Sequence, residues 1–289
     1  MDNHPEQPTA AHVVDTLRAS FKRMFPDATF TLAPSAFADV NSMFEGRHLD
    51  YQAGDTPYHN LKHTYQVLLC YDDIMEGWHM SGIEPHLTPR QYEIGLLAVL
   101  FHDTGYLKLR TDTQGTGAKY TPTHVLRSCS FASSYLPRHG VSPAELDSII
   151  AMIRCTAFIT RGTRHFRFQE PIEGILGCAV ATADYLGQMA APDYPESLPL
   201  LFAEFTESDN YANVPHEQRR FHTCEELIAD TPLFWHKHVM PLLERELLGV
   251  YRFLARPYPG GPNAYIDAVN ANIARVETHI ENCIEKKAG

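Results

Sequence analysis

The chain has 289 residues, 44% of them hydrophobic and 20% charged, the composition of an ordinary globular protein long enough to bury its own core. No apolar run approaches the ~20 residues that a membrane helix needs, which excludes a helical membrane span. Lys and Arg total 24 against 35 Asp and Glu, a net charge of −11 that argues against a nucleic-acid backbone as partner.

Apolar residues recur with a period near 3.6, and strand-like alternation is scarce, so the expected fold is all α. In chain order the pattern predicts helices over 11–25, 57–80, 88–104, 121–137, 142–158, 171–189, 196–207, 215–229, 232–255 and 263–286. Four starts carry an N-cap residue before a Pro at the first helical position: Thr56-Pro57, Thr88-Pro89, Thr121-Pro122 and Ser142-Pro143. Thr88 with Gln91 and Ser142 with Glu145 also have capping-box spacing. Residues 1–10 read as a loose tail and 11–289 as a single domain. The polar stretch 105–120, rich in Gly and Thr, is expected to be a surface loop, either mobile or a lid. The opening lacks the charged and apolar regions of a secretory signal, and six scattered cysteines without a CxxC pair read as reduced thiols in a cytoplasmic protein.

One turn before Val67, on the helix expected from Pro57, stands His63, and one turn earlier His59, so both imidazoles are expected to face inward. Alone, such a pair would read as two satisfied core histidines. The next helix is apolar on nearly every side from Ile94 to Phe101 and ends in His102-Asp103. Burial and the negative end of the helix dipole both disfavour a carboxylate there. Between Ile172 and Gln188 the only charges are Glu173, welcome in a first turn, and Asp184 in an otherwise apolar segment. Of the basic residues that might neutralise these acids, only Lys108 is close in sequence, and a bound cation resolves the cost instead. His63, His102, Asp103 and Asp184 then make a mixed nitrogen and oxygen site suited to Mn, Fe, Zn or Mg. The second oxygen of Asp103 leaves room for a second divalent ion, with His124 as the extra nitrogen nearby.

Tyr58-His59-Asn60 with His63, then Phe101-His102-Asp103, then Asp184, resemble the HD superfamily of metal-dependent phosphohydrolases. The resemblance is nearest to the class I cyclic-nucleotide phosphodiesterases, whose YHNxxH opening stands letter for letter at 58–63. It implies an HD-type helical bundle that hydrolyses a cyclic nucleotide or related phosphodiester. His59 would be the general acid, His63, His102 and Asp184 metal ligands, and Asp103 the carboxylate shared by two metals. Looser echoes run through residues 50–250: Val125-Leu126, Cys155-Thr156-Ala157, Glu204-Phe205, and Phe234 followed by Val239, Pro241 and Leu242. They imply Thr156 and Phe234 at the substrate, with Tyr58, Phe234 and the aromatics near Trp235 sandwiching a base. The chain departs from the family at Arg127, where a Glu is usual, and at Thr231, where a Gln grips the base. The expected partner is a small phosphoester or nucleotide, with neither nucleic acid nor membrane involved. The basic run Arg161, Arg164, His165 and Arg167 is expected to be a solvated face or, failing that, a phosphate contact. Alternative readings are a nucleotidase or nucleoside-triphosphate hydrolase, a di-iron oxygenase, which would want a histidine where Thr156 stands, and a catalytically silent nucleotide sensor.

Overall fold

The computed structural model describes residues 8–157 and 168–288, and among them the fold is all α, with Tyr51 and Leu109 forming a lone antiparallel bridge. The helices are α1 (Ala10–Met24), α2 (Leu32–Phe44), α3 (Leu61–Ser81), α4 (Pro89–Phe101), α5 (His124–Tyr135), α6 (Pro143–Arg154), α7 (Pro171–Met189), α8 (Tyr194–Tyr211), α9 (Cys224–Phe234), α10 (Met240–Arg245) and α11 (Ala264–Ala288). One hydrophobic core draws buried residues from every one of them. No helix among the described residues is long and apolar enough to cross a membrane, and all six cysteines are free thiols. The basic run at 161–167 lies outside the described residues, as does most of the expected tail. The chain is already ordered at Thr9, whose side chain caps α1.

Thr88 and Ser142 behave as their sequences predict, each closing a capping box with Gln91 or Glu145. The other two Pro-marked starts are corrected. Thr56 spends its hydroxyl on the His59 carbonyl, and α3 begins only at Leu61, with Asn60 as N-cap accepting from the amides of Lys62 and His63. Thr121 closes a 3-10 turn, and α5 begins at His124. The expected helix 215–229 starts instead at Cys224, capped by Thr223. The expected helix 232–255 breaks into a π turn over Trp235–Val239, then α10, then left-handed Leu248 and Gly249. Pro241, lacking an N–H to return to Lys237, sits where the wide turn ends.

α2 was not expected at all. Its N-terminus has no side-chain cap of its own, and the amide of Ala33 donates to Glu93 Oε2 of α4 at 2.8 Å. A cap supplied from sixty residues away leaves no local signal.

The 105–120 stretch is neither lid nor loose loop. Tyr106, Leu107, Lys108, Ala118 and Lys119 are buried. Lys108 pairs with Asp55 at 2.8 Å and Lys119 pairs with Asp112, while Arg110 donates to the carbonyls of Gly46, His48 and Leu49. Gly117 and Thr116 are held in turn by Asp55 and by Glu207 of α8. Polar residues therefore face inward here because each finds a partner.

Two glycines set the spacing on which the centre depends. A Cβ at Gly187 would come within 2.8 Å of the Gln66 carbonyl, so its absence lets α7 press against α3 beside Asp184 and His63. A Cβ at Gly105 would lie 2.0 Å from the His124 carbonyl, so the start of α5 closes onto the turn after Asp103 for the same reason.

Candidate metal centre

His63 stands in the first turn of α3, His102 and Asp103 just past the end of α4, and Asp184 in the body of α7. The packing of these three helices brings the four side chains together. Asp103 Oδ2 lies 3.4 Å from His63 Nε2 and 3.3 Å from His102 Nε2, and the two nitrogens are 3.3 Å apart. Asp184 Oδ1 adds a second oxygen, 3.2 Å from His63 Nε2 and 3.7 Å from His102 Nε2. Ligands sharing one ion at about 2.0–2.2 Å sit roughly 3.0–3.5 Å from one another, so the spacing fits a first-row divalent metal.

The polar bookkeeping points the same way. Asp103 Oδ2 is buried and accepts no hydrogen bond, and among the described residues no ammonium or guanidinium pairs with Asp103 or Asp184. Lys108, the one cation near in sequence, is committed to Asp55 and the Gly115 carbonyl. His102 Nδ1 donates to the Val99 carbonyl at 2.7 Å, which leaves the Nε2 lone pair facing the cluster. Ser128 of α5 locks this corner, accepting from the Gly105 amide and donating to the His102 carbonyl. His63 Nδ1 has no partner, and its ring is held by packing against the rings of His59 and His102.

Charge is strongly coupled at this centre. Burial on its own would push the His102 imidazole down, but the adjoining Asp103 carboxylate outweighs it and raises His102 to about 9. Burial would likewise raise Asp103, yet the histidines around it, His102 foremost, hold it well below the usual carboxylate range. A divalent ion bound to these groups would displace their protons.

His124 lies on the other side of Asp103, its Nε2 3.9 Å from Oδ1, with Nδ1 bound to the Thr121 carbonyl at 2.7 Å. Burial pushes its pKa down, which keeps Nε2 a neutral donor of electrons. His59 does not occupy α3 but the turn before it. Its Nδ1 meets Glu204 Oε2 of α8 at 2.5 Å, and Glu204 Oε1 accepts from the amides of Tyr58 and His59. Burial, the largest influence, lowers the His59 pKa, but the Glu204 carboxylate overrides it and the net shift is upward. The Tyr106 ring stacks against both imidazoles, 4.7 Å from His59 and 4.6 Å from His124 and within 16° of parallel, while the two imidazoles are 6.4 Å apart. Its place in a stretch that reads as polar loop concealed it from the sequence.

A cavity of about 630 Å³ opens from this centre, lined by His59, Asp103, Tyr106, His124 and Asp184 on one side and by Thr156, Thr231 and Phe234 elsewhere. Tyr58 is not on its wall. The hydroxyl of Tyr58 donates to Gln188 Oε1 at 2.6 Å and its ring is buried against His59, so it supports the turn and does not form one face of a clamp. Trp235 is likewise core, with Nε1 donating to Asn270. Arg127 is not on the cavity wall and donates to the carbonyls of Gly105 and Leu107, stacked on the Tyr120 ring.

Fold and site thus define an all-α protein with a buried His-His-Asp cluster able to hold a metal. The model of the Npun_R2479-like family matches residues 108–279, more than half of the chain, and the chain belongs to that family. The match takes in His124 and Asp184 but begins after His63, His102 and Asp103. No curated protein and no solved structure matches the chain.

Proposed function

We propose that the chain is a metal-dependent phosphoester hydrolase of the HD type, acting on a cyclic nucleotide or a related phosphodiester in the cytoplasm, with His59 as general acid. The observation that carries this reading is the meeting of two unlike devices at one cavity: an acid and imidazole cluster short of a cation, and a histidine braced by a buried carboxylate. His63, His102, Asp103 Oδ2 and Asp184 would hold one divalent ion, and Asp103 Oδ1 with His124 a second. Ions held there, Mn, Fe, Zn or Mg, acidify water and polarise phosphoryl oxygens. His59 keeps its Nδ1–H on Glu204 and turns Nε2 toward the cavity, where it hands a proton to the departing ester oxygen. Glu204 stabilises the imidazolium before transfer and fixes the ring after it. Tyr106 limits how far that ring can swing.

Elemental analysis of the purified protein, with hydrolysis of bis(p-nitrophenyl) phosphate and a panel of cyclic and linear nucleotides, tests the reading. His59→Ala should keep its metal and, on the nucleotides, whose alkoxide leaving groups need the proton, lose about 10²–10⁴-fold in turnover, the range general acid catalysis contributes. Asp103→Ala should lose metal and turnover together. Unchanged turnover in the first variant removes His59 from the chemistry, and a manganese-loaded wild type inert on the whole panel overturns the hydrolytic reading.

A further inference from the structure

The cavity extends well past the cluster, and its character changes as it does. Beyond Asp184 the walls are Tyr185, Met189, Leu201, Phe205, Phe221 and Phe234. The apolar surface continues outward over Leu126, which also lines the cavity and is 65% exposed. Arg154 and Tyr194 also line this route, and several of its uncharged polar groups are already engaged. Gln188 gives its amide to the Asp184 carbonyl at 2.7 Å and its oxygen to the Tyr58 hydroxyl. Thr156 and Thr231 donate their hydroxyls back to the carbonyls of Ile153 and Leu227. Arg220 and Asp230 meet at 3.3 Å, the guanidinium 5.0 Å from the Phe221 ring centre.

A nucleobase carries several donors and acceptors on its edge, and in this chamber most would lose water without gaining a partner. A hydrocarbon or aryl group suffers no such loss. At about 630 Å³ the space also exceeds what a phosphoryl group needs and falls in the range of sites that enclose an organic ligand.

We propose that this chamber receives the apolar ester group of an amphiphilic phosphodiester, an alkyl or aryl ester whose phosphoryl group meets the cluster. This rests on the hydrolytic reading above and names the substrate class within it. Hydrolysis breaks one P–O ester bond, a water oxygen joins phosphorus, and His59 delivers a proton to the leaving alkoxide or phenoxide. The products are an amphiphilic phosphomonoester and an alcohol or phenol.

The test holds the leaving group constant. The manganese-loaded protein is given p-nitrophenyl phosphodiesters whose second ester is methyl, hexyl, phenyl or thymidine-5′-yl, and kcat/KM is compared. Each methylene buried should give roughly fourfold if the chamber takes it fully. The hexyl ester should therefore exceed the methyl ester by at least 30-fold, with the thymidine ester below the hexyl and phenyl esters. Phe205→Asn should collapse the hexyl-to-methyl ratio. Independently of turnover, 8-anilinonaphthalene-1-sulfonate fluorescence should saturate on the protein without added metal and be displaced by hexyl phosphate, but not by thymidine monophosphate at equal concentration. Hydrolysis with no preference for the hexyl ester, or a preference for the thymidine ester, overturns the proposal and leaves the hydrolytic reading intact. Displacement of the dye by hexyl phosphate with no ester cleaved overturns the hydrolytic reading and leaves the apolar chamber standing.

Discussion

Three donors converge on Glu204: the backbone amides of Tyr58 and His59 and the His59 ring. The carboxylate is fully buried, so the arrangement works as a unit, and its charge rather than its shape keeps the His59 pKa above the ordinary imidazole value against the effect of burial. The proposed acid works only when protonated, so turnover should fall as pH rises through that pKa. Glu204→Gln removes the charge while leaving an oxygen for the two amides, and burial then prevails. The alkaline fall of the pH–rate profile should move to lower pH, with turnover at its best pH reduced about 10–100-fold and bound metal unchanged. An alkaline limb that stays in place would show that Glu204 does not set the acid. The four clustered residues, His63, His102, Asp103 and Asp184, are legible in the sequence because charged or imidazole groups stand out in apolar segments. The bracing of His59 is not: Glu204 lies 145 residues from it, and nothing local distinguishes that acid from a solvated one.

At the level of elements, the closeness of α7 to α3 decides whether Asp184 reaches His63, and two glycines of α7 separate that effect from helix propensity. Gly187→Ala would place a Cβ 2.8 Å from the Gln66 carbonyl, against backbone that cannot yield without moving a helix. The same change at Gly174 meets only Phe168, at 3.5 Å, an ordinary contact. Ala should stabilise at Gly174 by about 0.5–1 kcal/mol through propensity and destabilise at Gly187 by roughly 1–3 kcal/mol through overpacking, with metal retention weakened only at Gly187. Thermal melts and metal content of the two variants check this, and equal melts would mean that α7 has slack. The legibility of the elements follows the reach of their caps. α4 and α6 close on residues three positions away, so their starts are marked in the sequence, whereas α2 borrows Glu93 and carries no local mark. The Pro at 57 and at 122 looked like starts, but Asn60 and the 3-10 turn ending near Thr121 supply the hydrogen bonding that delays each helix. In 105–120 the composition of a loop hid inward-facing lysines, because a paired Lys and a solvated one look alike in sequence.

The molecule as a whole carries buried carboxyls that the chemistry does not use, Glu93 at the start of α2 and Asp72. Asp72 is 2% exposed on α3, where the Tyr92 hydroxyl of α4 donates to it at 2.6 Å and the Phe21 ring of α1 packs on Tyr92. Burial foremost, helped by the charges of Asp73 and Glu76, pushes its pKa up to about 7, against the hydrogen bond from Tyr92. In the unfolded chain the group releases its proton near its ordinary value of 3.8, so between about pH 4 and pH 7 the folded state binds one proton more than the unfolded state. The contribution of Asp72 to stability then falls as pH rises through that window and levels off above it, by on the order of 4 kcal/mol at most. Asp72→Asn keeps an acceptor for Tyr92 and removes the titration. It should leave stability nearly unchanged at pH 4, raise it by about 1–3 kcal/mol at pH 8, and flatten the profile between. Because three helices converge on this residue within a single core, the change should appear as one shifted cooperative transition in denaturant melts and not as local loosening. Wild-type and variant profiles that run parallel from pH 4 to pH 8 would mean that Asp72 is ionised in the fold and that a cation or water reaches it.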